Sequence, residues 1–483
     1  MREVAKHNRR EDCWIVVGGG VYDITAFLKE HPGGEKILME CAGKDASVEY
    51  AKIHAPAILN MLPRECCVGR VDQGTVKEED KAVLARAKRE FVLPHISQIL
   101  NVYDMEYVAS QVMDKEGWDY YVSGGDDEIT LRENHAAFQR IWLKPRVLVD
   151  VSTIDSSSSI LGFKTSFPIY ISATALGKLA HPEGEVAISR GAYNQGIPYM
   201  LPTLASCSFD EMLGAKAKDQ TLFYQLYVNP DRKATEAIIR KAEAGGCKVL
   251  CVTVDAPQLG KRERDMRNKF SASTPDLQKG KVERNQGAAK ALSKFIDPSL
   301  NWSDIEWLRS ITKMPIVLKG IQCAEDAVLA AKYGVKGIIL SNHGGRQIDF
   351  SRSAIEILPE VISALKSVGV PTSGPNGMEV WIDGGVRRGS DIYKAIALGA
   401  TAVGIGRAAL YGLAGYGSDG VEKVIEILRE EFERTMAGMG NTSVKAIHPD
   451  SLIYKNLSDH TNGVPNDFLQ KQTYTTLRPI SKL

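Results

Sequence analysis

The densest chemistry in the chain lies in residues 337–349, GIILSNHGGRQID. A short apolar run, 337–340, gives way at once to Ser341, Asn342, His343, Gly344, Gly345 and Arg346. His343 changes charge near neutral pH and so can act as a base. Arg346 presents a rigid fork of donors matched to a carboxylate. They stand three residues apart, so one small hydroxy acid could touch both. The intervening glycines let backbone and ligand approach where a Cβ would clash. A second pair of histidines stands far upstream. His31 opens HPGG, where proline fixes the backbone and two glycines allow a flat ligand edge against the main chain. His54 follows in IHAP.

These residues need a frame. From about residue 168 the chain repeats an apolar strand, a polar turn and an amphipathic helix. The strands are expected at 169–175, 198–203, 222–227, 249–255, 315–320, 337–343, 380–385 and 402–407. Eight such units predict an α/β fold, a (β/α)8 TIM barrel, whose functional residues gather at the carboxyl ends of the strands. The polar residues fall there. The third strand ends in Gln225 and Tyr227, the fourth in Thr253 and Asp255, and the fifth in Lys319. The sixth delivers His343 and Arg346. The seventh ends in DGGVRRG, with Asp383, Gly384, Gly385 and Arg387, and the eighth in GIGR, with Gly406 and Arg407. Glycine-rich turns after the last two strands are where this fold commonly holds a phosphate, by backbone N–H groups and a helix N-terminus.

Ahead of the barrel, 14–17 and 21–24 read as two strands joined by the turn Gly18-Gly19-Gly20. Thr25 is expected to cap a brief helix through Phe27 and Leu28, and 35–50 to form a helix with Gly43 inside it. A polar, charge-rich stretch, 73–89, marks the boundary between this small α+β domain and the barrel. Residues 271–290, polar and lysine-rich, read as either a disordered surface loop or a lid over the site, with the mobile lid favoured.

At 483 residues the chain is too long for one ordinary core. Its 44% hydrophobic and 25% charged content are those of a soluble globular protein, and a net charge of +1 points to neither nucleic acid nor an anionic membrane. No apolar run approaches a bilayer span, and the basic N-terminus lacks the apolar core of a secretory signal. Eight cysteines in no framework spacing read as reduced intracellular thiols. No C-x-x-C suggests zinc, and no C-x-x-C-H suggests covalent haem.

SNHGGRQ resembles the signature of the FMN-dependent α-hydroxy-acid-oxidising family, and WDYYVSGGDDEITLRENHAAF, 118–138, resembles it closely too. The pattern WIVV…VYDIT…HPGG…H resembles the cytochrome b5-like haem domain. The combined resemblance implies a haem-binding domain at 1–72, a linker at 73–92 and an FMN-dependent barrel with a C-terminal tail at 93–483. It implies FMN and a non-covalent b-type haem with His31 and His54 as axial ligands. Two histidines fill both axial positions, so that iron would carry electrons singly.

Carried over residue by residue, the resemblance gives Arg346 and Tyr120 the substrate carboxylate, with Arg262 as a second cation. Tyr227 would hydrogen-bond the substrate hydroxyl. His343 would remove a proton, and Asp255 would steady the resulting imidazolium. Ala173, Ala175, Gln225 and Thr253 would line the isoalloxazine, and Lys319 would offset negative charge on the reduced ring. Ser341, Asp383, Gly384, Gly385, Arg387, Gly406 and Arg407 would complete the cofactor site. The small pair Ala175 and Leu204 resembles lactate-oxidising members, whereas Pro202 stands where those carry a serine, without a hydroxyl or an N–H.

Members joining both domains oxidise L-lactate to pyruvate and pass electrons through haem to cytochrome c. The resemblance implies a homotetramer in the mitochondrial intermembrane space, with a cytosolic location as the alternative. Two rival functions stand beside this one. The chain could oxidise another L-2-hydroxy acid, such as mandelate, or serve as a haem–flavin redox sensor without turnover. His343, Arg346, Tyr227 and Asp255 together speak against a sensor, which needs no proton acceptor.

Overall fold

The computed structural model describes residues 1, 3–28, 30, 31, 34–47, 50, 66–71, 91–268, 296–374 and 376–460. His54, the expected lid at 271–290 and the tail beyond 460 lie outside the described residues. The chain divides into two compact units between Val92 and Leu93.

In the first unit, Asn8–Arg9, Asp12–Val17, Gly20–Asp23 and Cys67–Arg70 form an antiparallel sheet in that order. Successive side chains of a strand point to opposite faces. Cys13, Ile15 and Val17 accordingly enter one core with Ile24, Leu28, Leu38, Ala42 and Ala46. Val16 enters a separate one with Val4 and Val21. Two expectations need correction. The helix foreseen over 35–50 is Glu35–Glu40, because Gly43 takes φ +72° and turns the chain. A Cβ there would sit 2.9 Å from Asn8 Cβ. Thr25 caps no helix: its hydroxyl accepts from Cys13 N at 2.9 Å and donates to Asp23 Oδ1 at 2.6 Å, closing a turn instead.

The second unit is built on eight parallel strands: Ile169–Ile171, Tyr199–Leu201, Leu222–Leu226, Val249–Thr253, Ile316–Ile321, Gly337–Leu340, Glu379–Asp383 and Ala402–Ile405. Each pairs with the next and the eighth with the first, closing the barrel expected from the sequence. Tyr170, Met200, Phe223, Val317, Ile339 and Trp381 fill its interior. Trp381 stacks on Phe223 with ring centroids 5.6 Å apart. A hairpin, Ser158–Ile160 and Phe163–Thr165, sends Ile160 and Phe163 into the same core. It closes the amino end of the barrel, where the Glu379 carboxyl accepts from Leu161 N and from Trp381 Nε1, both at 2.9 Å. Burial raises the pKa of that carboxyl.

Most strands stop earlier than their sequence runs suggested. The first ends at Ile171 rather than 175, the sixth at Leu340 rather than 343, and the eighth at Ile405 rather than 407. Ala173, Ala175 and His343 therefore stand on connections beyond the ladder, and Arg407 opens the helix that follows. The fifth strand, expected at 315–320, is shifted by one residue and ends at Ile321. A bulge between Lys319 and Ile321 places Gly320 at φ +113°, where a Cβ would lie 2.5 Å from Asp255 Cβ. Only glycine leaves room there for Asp255.

We expect Trp381→Ala to cost about 3–5 kcal/mol, since it opens a large cavity and strips the Glu379 carboxyl of a donor. Urea unfolding followed by circular dichroism checks this as a lowered midpoint.

Candidate active site

The sixth strand ends in a turn tied by one hydroxyl. Ser341 Oγ accepts from His343 N and from Lys319 Nζ, each at 3.0 Å. The turn holds His343 at φ +60°, a conformation that costs a residue with a Cβ and that clusters at functional sites. There its Nδ1 lies 3.0 Å from Asp255 Oδ1 and its Nε2 lies 3.1 Å from the Tyr227 hydroxyl. A carboxylate only accepts, so Asp255 fixes the proton on Nδ1 and leaves the Nε2 lone pair facing the Tyr227 hydroxyl.

Electrostatics favour this arrangement. Burial works against charge on Asp255, but His343 and Lys319 more than offset it and hold the carboxyl below the usual range. For His343, burial depresses the pKa, Asp255 opposes this, and Lys319 adds to the depression; the net shift is downward. Burial pushes the Tyr227 phenol far up, so it stays a neutral donor. Burial also disfavours charge on Lys319, yet Asp383 at 3.6 Å and Asp255 reverse the sign and keep it a cation.

Three arginines face the same space without acids. Arg346 donates from Nη1 to the backbone carbonyls of Tyr120 at 2.7 Å and Tyr121 at 2.9 Å, and its guanidinium lies 4.9 Å over the Tyr120 ring. Arg262, 2% exposed, sits 6.0 Å over the same ring. Arg407 donates to the carbonyls of Tyr121, Gly344 and Ser123. Among the described residues, none of the three has a carboxylate within 4.0 Å. Burial, reinforced by Arg346, pushes Arg262 down to about 10 and Arg407 down to about 9. A pocket with surplus buried cations is a receptor for anions.

That pocket is a cavity of about 560 Å³, a size suited to a cofactor. Ala173, Ala175, Gln225, Thr253, Lys319, Asp383, Gly384, Gly385, Arg387, Gly406 and Arg407 line it, together with Tyr120, Tyr227, Arg262, His343 and Arg346. Ser341 and Asp255 do not; they stand behind Lys319 and His343. Among the described residues, two buried polar atoms around it, Thr174 Oγ1 and Asp383 Oδ1, have no hydrogen-bond partner. Buried polar groups of a native protein are normally satisfied, so these orphans fit a polar group bound in the cavity. At one end, Gly406 precedes the helix Arg407–Gly438, whose N-terminus has no side-chain cap. The residues thus fit FMN: isolated polar atoms for the ring and ribityl chain, with cations and a bare helix end for the phosphate.

The sequence reading missed several contributors. Arg387, assigned to phosphate, forms a buried pair with Glu106 (2.5 and 3.2 Å), and Tyr411 also donates to Glu106 at 2.9 Å. Burial disfavours its charge, but Glu106 more than compensates and its pKa moves up. Asn134 and Asn342 exchange amide hydrogen bonds at 2.8 and 2.7 Å, pinning the helix Ile129–Gln139 onto the His343 turn. Two glycines let that helix settle. A Cβ on Gly345 would lie 2.5 Å from Leu131 Cα, and one on Gly385 would lie 1.9 Å from Asn134 O. Glu106 lies on the buried face of the helix Val102–Val112, which no local feature of the sequence marks out.

In the first unit, His31 is half-buried beside Phe27, with ring centroids 5.8 Å apart and Nδ1 3.4 Å from Gly34 O. A ring nitrogen directed at a backbone carbonyl is the usual orientation of a liganding imidazole, which fits haem.

Comparison with known proteins adds an independent view. The model of the FMN-dependent dehydrogenase family matches residues 109–454, and that of the cytochrome b5-like heme/steroid binding domain matches 1–72. The L-lactate dehydrogenase (cytochrome) of Saccharomyces cerevisiae is 47% identical over 494 residues, covering 98% of this chain and 82% of the relative. Glycolate oxidase 3 of Arabidopsis thaliana is 43% identical, over 72% of this chain and 95% of its own length. Among solved structures, a mutant flavocytochrome b2 with benzoylformate gives a TM-score of 0.71 at 47% identity, covering 83% of this chain and 98% of that one. A mandelate oxidase with (S)-4-hydroxymandelic acid gives 0.67 at 36% identity, covering 74% and 98%.

The neutral imidazole is the form that can accept a proton, and acid removes it. Because burial depresses the His343 pKa, we expect the acid limb of a kcat/KM profile for a 2-hydroxy acid to fall below the ordinary imidazole range. A limb at or above that range would count against His343 as the titrating base.

Proposed function

This chain belongs to the FMN-dependent dehydrogenase family, and from that footing we propose that it oxidises L-lactate to pyruvate and delivers the electrons singly to cytochrome c. The observation that carries the reading is His343, held between Asp255 and Tyr227, beside Arg262 and Arg346, which have no carboxylate partner among the described residues. A base flanked by spare cations suits a substrate bearing both a proton to lose and a carboxylate.

The residues divide the work as follows. Arg346 and Arg262 bind the carboxylate, with Tyr120 supporting both guanidiniums from below and offering its own hydroxyl. Tyr227 bonds the substrate hydroxyl and orients it toward His343 Nε2, which accepts the departing proton. Asp255 stabilises the imidazolium so formed, since its carboxylate already accepts the Nδ1 proton. Lys319, oriented by Ser341 and Asp383, would offer a fixed positive charge to the bound flavin. Gly384, Gly385, Gly406, Arg387 and Arg407 would hold the phosphate end of FMN, and Ala173, Gln225 and Thr253 would pack its ring. FMN, when bound, would supply a two-electron acceptor, and a haem held by His31 and His54 would supply a one-electron relay.

The proposed division is a haem domain at 1–72, a linker at 73–92 and the flavin barrel from 93 onward. Fusion of the haem domain argues for an electron-relay dehydrogenase over a peroxide-forming oxidase, which needs no relay. The small pair Ala175 and Leu204 on the cavity wall favours lactate over mandelate. The relatives named L-lactate dehydrogenase (cytochrome) support a cytochrome as the acceptor; a homotetramer, in the mitochondrial intermembrane space or alternatively the cytosol, is proposed on the resemblance of the two-domain order alone.

Rapid mixing with L-lactate tests this by bleaching of the flavin band; bleaching by mandelate alone would reassign the substrate. We expect His343→Gln to slow flavin reduction at least about a thousandfold while both cofactors stay bound. His31→Ala should abolish haem binding and cytochrome c reduction yet leave flavin reduction by lactate intact. Loss of both in His31→Ala would overturn the proposed order of electron flow.

A further inference from the structure

We propose that Glu185 is a positioning residue that sets the width of the side-chain end of the substrate pocket and thereby its preference for short 2-hydroxy acids. The inference rests on the hydroxy-acid reading above. Glu185 stands in the first turn of the helix Gly184–Asn194 and is fully buried. It does not line the cavity and has no part in the proton path.

Its carboxyl is the meeting point of two connections. From the one after the first barrel strand, Gly177 N donates to Oε1 at 2.8 Å. From the one after the second strand, Ser206 N donates to Oε1 at 2.9 Å, Ser206 Oγ to Oε2 at 2.9 Å and Cys207 N to Oε2 at 3.0 Å. Three backbone N–H groups and a hydroxyl converge on two oxygens, a donor-only surround suited to a carboxylate. Ala175 lies two residues before Gly177, and Leu204 two before Ser206; both face the cavity. One acid thus joins the backbones that carry the two walls.

The rest of the local structure makes that joint a gauge. Leu176, at φ +60°, donates its N–H to Leu204 O at 3.1 Å, the direct bond between the walls. Tyr121 donates its hydroxyl to Leu176 O at 2.5 Å, and its own carbonyl accepts from Arg346 at 2.9 Å. The carboxylate clamp and the side-chain wall are therefore referenced to each other through Tyr121. Gly177 permits the close approach, since a Cβ there would meet Glu185 N at 2.9 Å. A pocket held this rigidly rejects an extra methylene by steric cost instead of yielding to it.

Glu185→Gln keeps the shape but turns an NH2 toward N–H and O–H donors, pushing the two connections apart. In the purified holoenzyme, kcat/KM is measured for L-lactate and for L-2-hydroxyhexanoate. We expect the lactate-to-hydroxyhexanoate ratio to fall about tenfold, mostly through a raised KM for lactate, with the acid limb of the pH profile unmoved. Ser206→Ala, which removes one donor, should shift the ratio the same way by about threefold, and it decides the matter if the glutamine variant does not fold. An equal loss on both substrates, or an unchanged ratio, overturns the gauge. Wild-type enzyme inert toward both acids would instead overturn the functional reading beneath it.

Discussion

The bond between His343 Nδ1 and the Asp255 carboxylate is the interaction that the rest of the barrel's carboxyl end accommodates. Asp255 is sealed from solvent, and a charge in that position is tolerated only when opposite charge and hydrogen bonds surround it. Lys319 supplies the opposing charge and His343 the hydrogen bond, and Asp383 in turn keeps Lys319 charged. Gly320 supplies the room, through a bulge in the strand that carries Lys319. The left-handed backbone of His343 is the strain accepted to aim the ring; Ser341 and the Asn134–Asn342 exchange hold it there.

Much of this was legible in the chain, for identifiable reasons. Barrel strands are buried on both sides and read as apolar runs, so their number and order followed from the sequence. Their ends did not, because Ser341, Asn342 and His343 leave the ladder without any residue that forbids extended backbone. The helix foreseen over 35–50 failed on Gly43, whose positive φ is a choice that glycine permits but does not dictate. Base and clamp were visible as local spacing. Their partners were not: Asn134 meets Asn342 across 208 positions, and Glu106 meets Arg387 across 281. Pairings so remote in sequence have no local signature, and an acid on an amphipathic helix resembles any surface acid until its face is seen to be buried.

The two ends of the barrel have separate duties. At the amino end, Ile160, Phe163, Trp381 and the Glu379 carboxyl fill and seal the core. At the carboxyl end, polar atoms without partners and cations without acids remain among the described residues. Such a site is stabilised by what it binds, so the part of the protein that does chemistry is also the part least satisfied by itself.

The helix Ile129–Gln139 rests on two side-chain-free turns at once, one carrying His343 and the other, at Gly384 and Gly385, lining the same cavity. A body wedged between two such turns transmits displacement from either to the other. Occupancy of the cofactor pocket and the alignment of the base are then thermodynamically linked, and linkage is reciprocal. Ligands that grip the imidazole and guanidinium end should slow escape of the flavin, and the empty barrel should bind those ligands more weakly than the loaded one.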